Sequence, residues 1–496
     1  MAAFIGIDLG TTYSSISYID DNGRPQIIRN DKGQNITPSC ILFEDDNKGI
    51  VGEDARQALG QPNVLARFKR DMGTSVKYNI NGEDYTPTDC SALILKKLVQ
   101  DAKKEIGAIG EAVITTPANF ANEARVETLS AAKQAKLNVE NIVNEPTAAA
   151  LYYAFKGGVE LNGNYAVYDL GGGTFDISII KVEGQNINVV ASDGVSKLGG
   201  DDFDTILKKI VKDKLKKEHD EDLDEQDYTK TDAEKDKQSL STREEVNVRV
   251  NRKNFKVTRA EFEQEISSLI TQTEMICESI LNENNLTTSD IQDVFLVGGS
   301  TRVPLVEDTV KRVFGKTPVK SVNVDEAVVL GAALYAAYKG DQSKLSSVQK
   351  ASVNKIKVTD VSPAYFGTIT LDEKNLETYS KKVFNIIEKN TPLPCSVTES
   401  IYSAFDGQDT LNCTITSSKV LESDPKFVKV VFEEKLSLPS GRPANQEVKI
   451  TYSFDDNGTM HASFVDVETG KETKTSLSEI AVSKSKSDKT DKFTIE

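Results

Sequence analysis

Histidine, tryptophan and cysteine are scarce in this chain of 496 residues, and basic side chains are outnumbered by acidic ones. Only two histidines occur, His219 inside a charged run and His461 in a late strand pattern. That leaves no basis for a histidine triad or a zinc centre, so acid–base chemistry falls to Asp, Glu and Lys. Five cysteines, Cys40, Cys90, Cys277, Cys395 and Cys413, are odd in number and lack metal-like spacing, the pattern of reduced, mostly buried thiols in a cytoplasmic protein. No run of about 18 apolar residues exists, so no membrane role is expected. The opening MAAF passes straight into an apolar strand without a signal-peptide pattern, which argues against secretion. A formal charge of −16 disfavours direct nucleic-acid binding, because neutralising phosphates needs a basic surface built against the overall field. Tryptophan is absent altogether. The 38% apolar and 27% charged residues are ordinary for a soluble globular protein, and the length allows two or three domains.

One stretch organises the rest, YAVYDLGGGTFDISII at residues 165–180. An apolar run ends in Asp169, three glycines follow, and a period-two segment continues from Thr174, which reads as strand, tight turn, strand. Gly171, Gly172 and Gly173 remove every Cβ from the bend, so backbone N–H groups can come close to a bound group such as a phosphate. Asp169 and Asp176 bracket the turn, and two carboxylates beside a phosphate call for a hard divalent cation such as magnesium between them. On its own the stretch is equally a glycine-rich hairpin with two surface aspartates. Near the N-terminus, however, FIGIDLGTTYSSISYID repeats the design roughly 160 residues earlier, with Asp8 matching Asp169 and Gly10, Thr11, Thr12 and Tyr13 forming the turn. The self-match predicts a duplicated α/β unit, with one acidic turn from each copy facing a shared cleft.

Other stretches follow in order. NVLARFKRDMG carries Lys69 between Arg67 and Arg70, a helical segment with one cationic edge or simply a solvated basic face. NEPTAAALYYAF places Glu145 and Pro146 at a helix start, where the carboxylate either offsets the helix dipole or points into the cleft. Gly199 and Gly200 mark a strand-to-helix passage suited to an anion. Residues 208–237 alternate in charge and predict an exposed helical pair. In IQDVFLVGGSTR a strand ends at Gly298 and Gly299, and DEAVVLGAALYAAY predicts a small-residue helix against a sheet. Residues 341–360 are polar and read as a linker, 361–475 as a separate all-β domain with hairpins at Asn457-Gly458 and Thr469-Gly470, and 476–496 as a loose polar tail.

Taken together, IGIDLGTTYS, FKRDMG, NEPTAAA, DLGGGTFDIS, LGGDDFD, LVGGSTRVP and DEAVVLGAA resemble, in order, the motifs of the seventy-kilodalton heat-shock chaperones, the DnaK-type family, over approximately residues 4–475. The resemblance implies an actin-like (ribonuclease H-like) duplicated ATPase domain over 1–340, joined to a β-sandwich that grips extended hydrophobic peptides. It implies that Asp8 and Asp169 hold Mg2+ through water and that Gly10 to Tyr13 and Gly171 to Thr174 wrap the phosphates of ATP or ADP. Lys69 would help place the attacking water, with Glu145 and Asp176 completing the polar network, an arrangement suited to phosphoryl transfer. Gly199, Gly200, Gly298, Gly299, Ser300, Arg302 and Asp325 would line the nucleotide, and Glu234, Lys237 and Ser241 match an adenosine-binding helix. A J-domain co-chaperone and a nucleotide-exchange factor are the implied partners beside unfolded peptides.

Four departures from the family are visible. Gln238 stands where an arginine is usual, which removes a stacking partner for adenine. Asn323-Val324-Asp325 replaces Asn-Pro-Asp. NKIKV, residues 354–358, replaces a leucine-rich linker with a lysine-bearing one. After the β-domain only about twenty polar residues follow where the family has a helical lid, so fast peptide exchange is expected. By alignment the peptide cleft would be lined by Thr368, Leu371, Tyr402, Leu411 and Cys413, positions that equally suit an ordinary sandwich core. An ATP-dependent chaperone is the leading expectation. The alternative is a regulatory or scaffolding relative that binds ATP without a full peptide-coupled cycle.

Overall fold

The computed structural model describes residues 3–44, 47–156, 161–184, 186–224, 226–319, 323–354, 356–372, 380–476 and 489–496. Two compact units emerge, the first built from Met1–Asn119, Thr128–Val358 and Ser487–Glu496, the second from Phe120–Glu127 and Thr359–Lys486.

Two mixed sheets form the frame of the first unit. In one the strand order is Asn138–Asn144, Ile109–Thr116, Ala3–Asp8, Tyr13–Ile19, Pro25–Ile28; in the other it is Ile291–Val297, Asn162–Leu170, Phe175–Glu183, Asn186–Val195, Lys357–Thr359. Each sheet is centred on an antiparallel hairpin whose first strand also pairs in parallel with a later strand. The internal repeat in the sequence is thus a repeat of topology. The hairpin strands alternate apolar residues such as Ile5 and Ile7, or Ile177 and Ile179, all fully buried, so the register is pinned by the cost of turning that face to water.

Helix Ala327–Lys339 is built almost wholly of Ala, Val, Leu and Gly, and small residues let backbones approach. A Cβ on Gly331 would sit 1.7 Å from the Ala148 carbonyl oxygen in helix Glu145–Lys156, and one on Gly6 would sit 2.2 Å from the Ala333 nitrogen. The helix therefore wedges between Glu145–Lys156 and the first strand. That contact fixes where Glu145 begins its helix.

The second unit holds two antiparallel four-stranded sheets, ordered Lys381–Ile387, Tyr365–Leu371, Thr410–Ser418, Lys429–Ser437 and Cys395–Tyr402, Glu447–Phe454, Met460–Asp466, Glu472–Ser476. Both sheets feed one apolar cluster containing Phe366, Ile415, Ile450 and Phe464. The Tyr452 hydroxyl, buried within it, donates toward the Gly367 and Thr414 carbonyls at 3.0 and 2.8 Å. Turns fall at Asn457-Gly458 and Thr469-Gly470, where both glycines take positive φ, 67° and 70°.

Three readings of the sequence need correction. Residues 64–72 are not one helix: a short strand, Val64–Ala66, passes through Arg67 at φ 65° into the single 3-10 turn Phe68–Asp71, because Phe68 must turn inward and is 2% exposed. Within 341–360 lie a 3-10 turn, the helix Ser347–Val353 with a Ser346/Gln349 capping box, and the edge strand Lys357–Thr359. Composition suggested a featureless linker, yet capping and a few apolar anchors, with Val353 fully buried and Ile356 5% exposed, suffice to order it. The tail is not wholly loose either. Residues 489–496 form a turn and a strand, Thr494–Ile495, paired in parallel with Lys48–Val51. Residues 477–488 lie outside the described residues.

Candidate functional site

The two glycine-bearing hairpin turns meet. A Cβ on Gly172 would lie 2.4 Å from Thr12 Oγ1, and one on Gly173 would lie 2.6 Å from the Thr11 side chain, so only glycine lets these turns close on each other. Helix Gly200–His219 caps the second turn from behind: Gly200 N donates to the Gly171 carbonyl at 3.0 Å and Asp201 N to the Gly172 carbonyl at 2.8 Å. Ser300 Oγ adds a bond to the Gly171 carbonyl at 2.8 Å. Gly298, at φ 82°, lies against the Leu170 carbonyl and lets the chain turn out of strand Ile291–Val297. Around the turns opens a cavity of about 1270 Å³, lined by Asp8, Gly10, Thr11, Thr12, Tyr13, Lys69, Glu145, Asp169, Gly171 to Thr174 and Gly200.

Its floor carries an excess of buried negative charge. Lys69, 6% exposed, donates to Glu145 Oε1 at 2.7 Å, and Thr115 Oγ1 donates to Asp8 Oδ1 at 2.9 Å. Asp176 pairs across the hairpin with Asp169 and accepts from Asn119 N at 3.1 Å. Burial, with help from the Glu145 carboxylate, pushes the Asp8 carboxyl up to about 6 despite Lys69. Burial also raises Asp169 well above the ordinary range, with Glu145, Asp176 and Asp8 adding to the effect. Burial opposes charge on Lys69, but Glu145, Asp8 and Asp169 together outweigh it and hold the ammonium above its usual pKa. Three carboxylates, Asp8, Glu145 and Asp169, facing one ammonium is the donor set a hydrated divalent cation satisfies. Among the described residues no group of three or more His, Cys, Asp or Glu is arranged to grip a metal directly, so the fit is to an ion held through water.

The other side of the cavity is assembled by helix Lys230–Leu240. Glu234 accepts from Tyr13 Oη at 3.1 Å and from Arg56 Nη2 at 2.7 Å, while the Arg56 guanidinium lies 5.2 Å from the centre of the Tyr13 ring. Lys237 bonds Asp204 at 2.6 Å and the Gly200 carbonyl at 2.9 Å, and Ser241 Oγ donates to the Lys237 carbonyl at 3.2 Å. Gln238 Nε2 donates to Glu234 Oε1 at 3.3 Å. Arg302 pairs with Asp325 at 2.6 Å and Asn323 at 3.2 Å. Two members of the alternating-charge run thus face inward, since Glu234 and Lys237 are 8% and 9% exposed.

Of the residues singled out for the nucleotide, Glu234, Lys237, Ser241, Gly298, Gly299, Ser300, Arg302 and Asp325 all line the cavity. Asp176 and Gly199 stand one layer behind it: a Cβ on Gly199 would lie 2.6 Å from the Gly172 carbonyl carbon, so its role is to let that turn sit close. Missed in the sequence were Arg56, Asp201 and Asp204. Asp201 collects Arg67, Arg70 and Lys230, the last two at 3.2 and 3.0 Å, and so gathers the two arginines that flank Lys69 in the segment that read as a solvated face. Its signal was present in the doubled aspartate of LGGDDFD.

The five peptide-cleft candidates do not share one setting. Thr368 and Cys413 are interior, 1% and 0% exposed, with Thr368 Oγ1 3.1 Å from Thr414 Oγ1. Leu371 and Leu411 are half-buried and Tyr402 is 57% exposed. The two interior positions behave as core, so in this conformation they offer no surface to a peptide. Residues 373–379 lie outside the described residues.

Two topologically equivalent mixed sheets closing on one acidic, glycine-walled cavity fit an actin-like ATPase fold. The family model described as Hsp70 protein matches residues 4–80 and 74–494, nearly the whole chain, and the chain belongs to the Hsp70 family. Members of that family are ATPases that use ATP or ADP with Mg2+ and generally bind unfolded peptides and co-chaperones, so membership suggests ATP-dependent chaperone activity. No described helix is long and apolar enough to cross a membrane.

Proposed function

We propose that this chain is a Mg2+-dependent ATPase whose slow hydrolysis of ATP controls the grip of its β-domain, read as a sandwich, on extended hydrophobic peptides. It would act in the cytoplasm with a J-domain co-chaperone and a nucleotide-exchange factor. One observation carries the reading: a single cavity collects Lys69, Glu145, Asp8 and Asp169 beside two interlocked glycine turns.

Asp8 and Asp169 are the residues that would hold the hydrated metal, which when bound neutralises phosphate charge. The carboxylates around it favour the charged form of Lys69, and Glu145 fixes its position, so the ammonium is aimed before any substrate arrives. The turn amides near Thr11, Thr12, Gly172 and Gly173 suit phosphate oxygens, and the Gly200–His219 helix holds that turn still. Such preorganised charge and positioning is what phosphoryl transfer needs from a protein. Helix Lys230–Leu240 would receive the adenosine. Gln238 and a lysine-bearing linker favour the second reading, a family member that binds ATP without peptide-coupled cycling.

Single-turnover hydrolysis of bound ATP, with and without an extended hydrophobic peptide, separates the two. A measurable rate that the peptide accelerates is expected. Hydrolysis no faster than in buffer would end the chaperone-cycle reading, and a rate indifferent to peptide would select the alternative.

A further inference from the structure

Residues 489–496 are seated on the first unit as a strand on a built edge. Glu496 N donates to the Gly49 carbonyl at 3.0 Å and Val51 N to the Glu496 carbonyl at 3.2 Å. Ile495 is 8% exposed within the core cluster of the first sheet, and Phe493 meets Phe43 and Tyr85 edge-on at 5.7 and 5.9 Å. Gly49 leaves room for both anchors, since a Cβ there would come within 3.3 Å of Ile495 and 3.4 Å of Phe493. Thr490 is 2% exposed, and its carbonyl accepts from the Lys96 ammonium. Lys48 closes on the Glu496 carboxylate at 3.1 Å. Without this segment Lys48–Val51 would be an edge strand of its sheet, with a row of backbone groups open to another chain.

The strand so covered leads directly to the cavity. It ends at Val51, passes Gly52 at φ 105°, and starts helix Glu53–Gln57, whose Glu53 and Arg56 line the cavity mouth. Arg56 holds Glu234 at 2.7 Å from the opposite wall. The backbone bond at Val51 is therefore two residues from the start of the arm, helix Glu53–Gln57, that carries Arg56 across the cavity.

We propose that the Lys48–Val51 edge is a peptide-binding groove for one β-strand of the form Phe-x-Ile-Glu, occupied in cis by residues 493–496, and that its occupancy restrains the Arg56 arm and slows nucleotide release. The groove stands on backbone pairing and two apolar anchors, the chemistry of β-strand addition. A two-residue ladder is a weak ligand alone, but tethering places it at an effective concentration of about a millimolar, which keeps it docked. The kinetic consequence rests on the nucleotide reading above; the docking does not.

A chain ending at Ser476 and a fluorescein-labelled peptide of sequence KTDKFTIE test it by anisotropy, with release of a fluorescent ADP followed in parallel. The shortened chain is expected to bind the peptide and to release ADP at least about threefold faster than the full chain, with added peptide restoring the slow rate. The full chain, its groove filled, is expected to bind at least about tenfold more weakly. Gly49→Val in the shortened chain should abolish binding, which separates this groove from any peptide site in the second unit. No binding by a folded shortened chain, or binding untouched by Gly49→Val, would overturn the groove. Peptide binding with unchanged ADP release would overturn the restraint, and failure of both chains to bind ADP would sink the nucleotide reading while leaving the groove standing on anisotropy. Should the shortened chain not fold, Phe493→Trp in the full chain serves instead, as the only tryptophan in the protein. Its emission should be shielded from acrylamide at least about fivefold better than in the free peptide; equal quenching would overturn cis docking, as would a dimer by light scattering, which would mean exchange between two copies.

Discussion

At the scale of single residues, Lys69 owes its charge to the carboxylates around it and its position to Glu145, so removing it should affect chemistry far more than binding. Lys69→Ala is expected to keep ATP affinity within about threefold while single-turnover hydrolysis falls by about 10²-fold, the size of losing one preorganised electrostatic contact. Gln238 gives the opposite kind of change. It lines the cavity without a planar cation to offer, and Gln238→Arg should tighten ADP binding about two- to fivefold, corresponding to about 0.5–1 kcal/mol, by titration calorimetry. Asp201 carries a pH signature. Burial alone would raise its pKa, but Arg67, Lys230 and Arg70 bring it below the usual carboxylate value. A lowered folded pKa adds stability above the unfolded value of about 3.9, and that stability disappears as pH falls through it toward the folded value. Asp201→Asn should therefore lower the melting temperature at pH 7, with the difference from wild type closing below about pH 4.

At the scale of elements, hairpins, glycine turns and the small-residue helix were legible because each is written in local pattern: period-two apolar residues, consecutive glycines, alanines at helical spacing. The Asp8 and Asp169 turns could be paired from the repeat alone, and the repeated topology explains why. What stayed hidden depends on partners distant in sequence. Arg67, Arg70 and Lys230 looked solvated until Asp201 was seen between them, and Thr368 and Cys413 looked like a cleft until the sheets closed over them. The polar 341–360 segment misled by composition, since one capping box and the I-K-V alternation at 356–358 matter more than its count of lysines. Helix Ala327–Lys339 offers the cleanest check at this scale. Gly331→Ala would force a Cβ into the Ala148 carbonyl, a backbone group that cannot swing aside, and should destabilise the first unit by about 3 kcal/mol in chemical denaturation.

For the whole molecule, the main passage of the chain from the first unit into the second falls at Val358–Thr359, besides the short excursion Phe120–Glu127. That passage is ordered: Lys357–Thr359 lies beside Asn186–Val195 at the sheet edge, with Ile356 buried and Lys357 exposed. That alternation answers how a lysine-bearing connection can still dock, because its charge faces water while its apolar neighbours face in. Asn186–Val195 pairs in turn with the Phe175–Glu183 strand that carries Asp176, so a pull on the edge has a hydrogen-bonded route to the glycine turn. Ile356→Asp puts an unpaired charge at a 5% exposed site and should release the edge strand without touching the cavity. Basal ATP hydrolysis is then expected to stay within about twofold of wild type while acceleration by an extended peptide is lost, a gap of the few-fold to hundredfold size that coupling free energies produce. Peptide acceleration surviving in a folded Ile356→Asp protein would remove the edge strand as the coupling element.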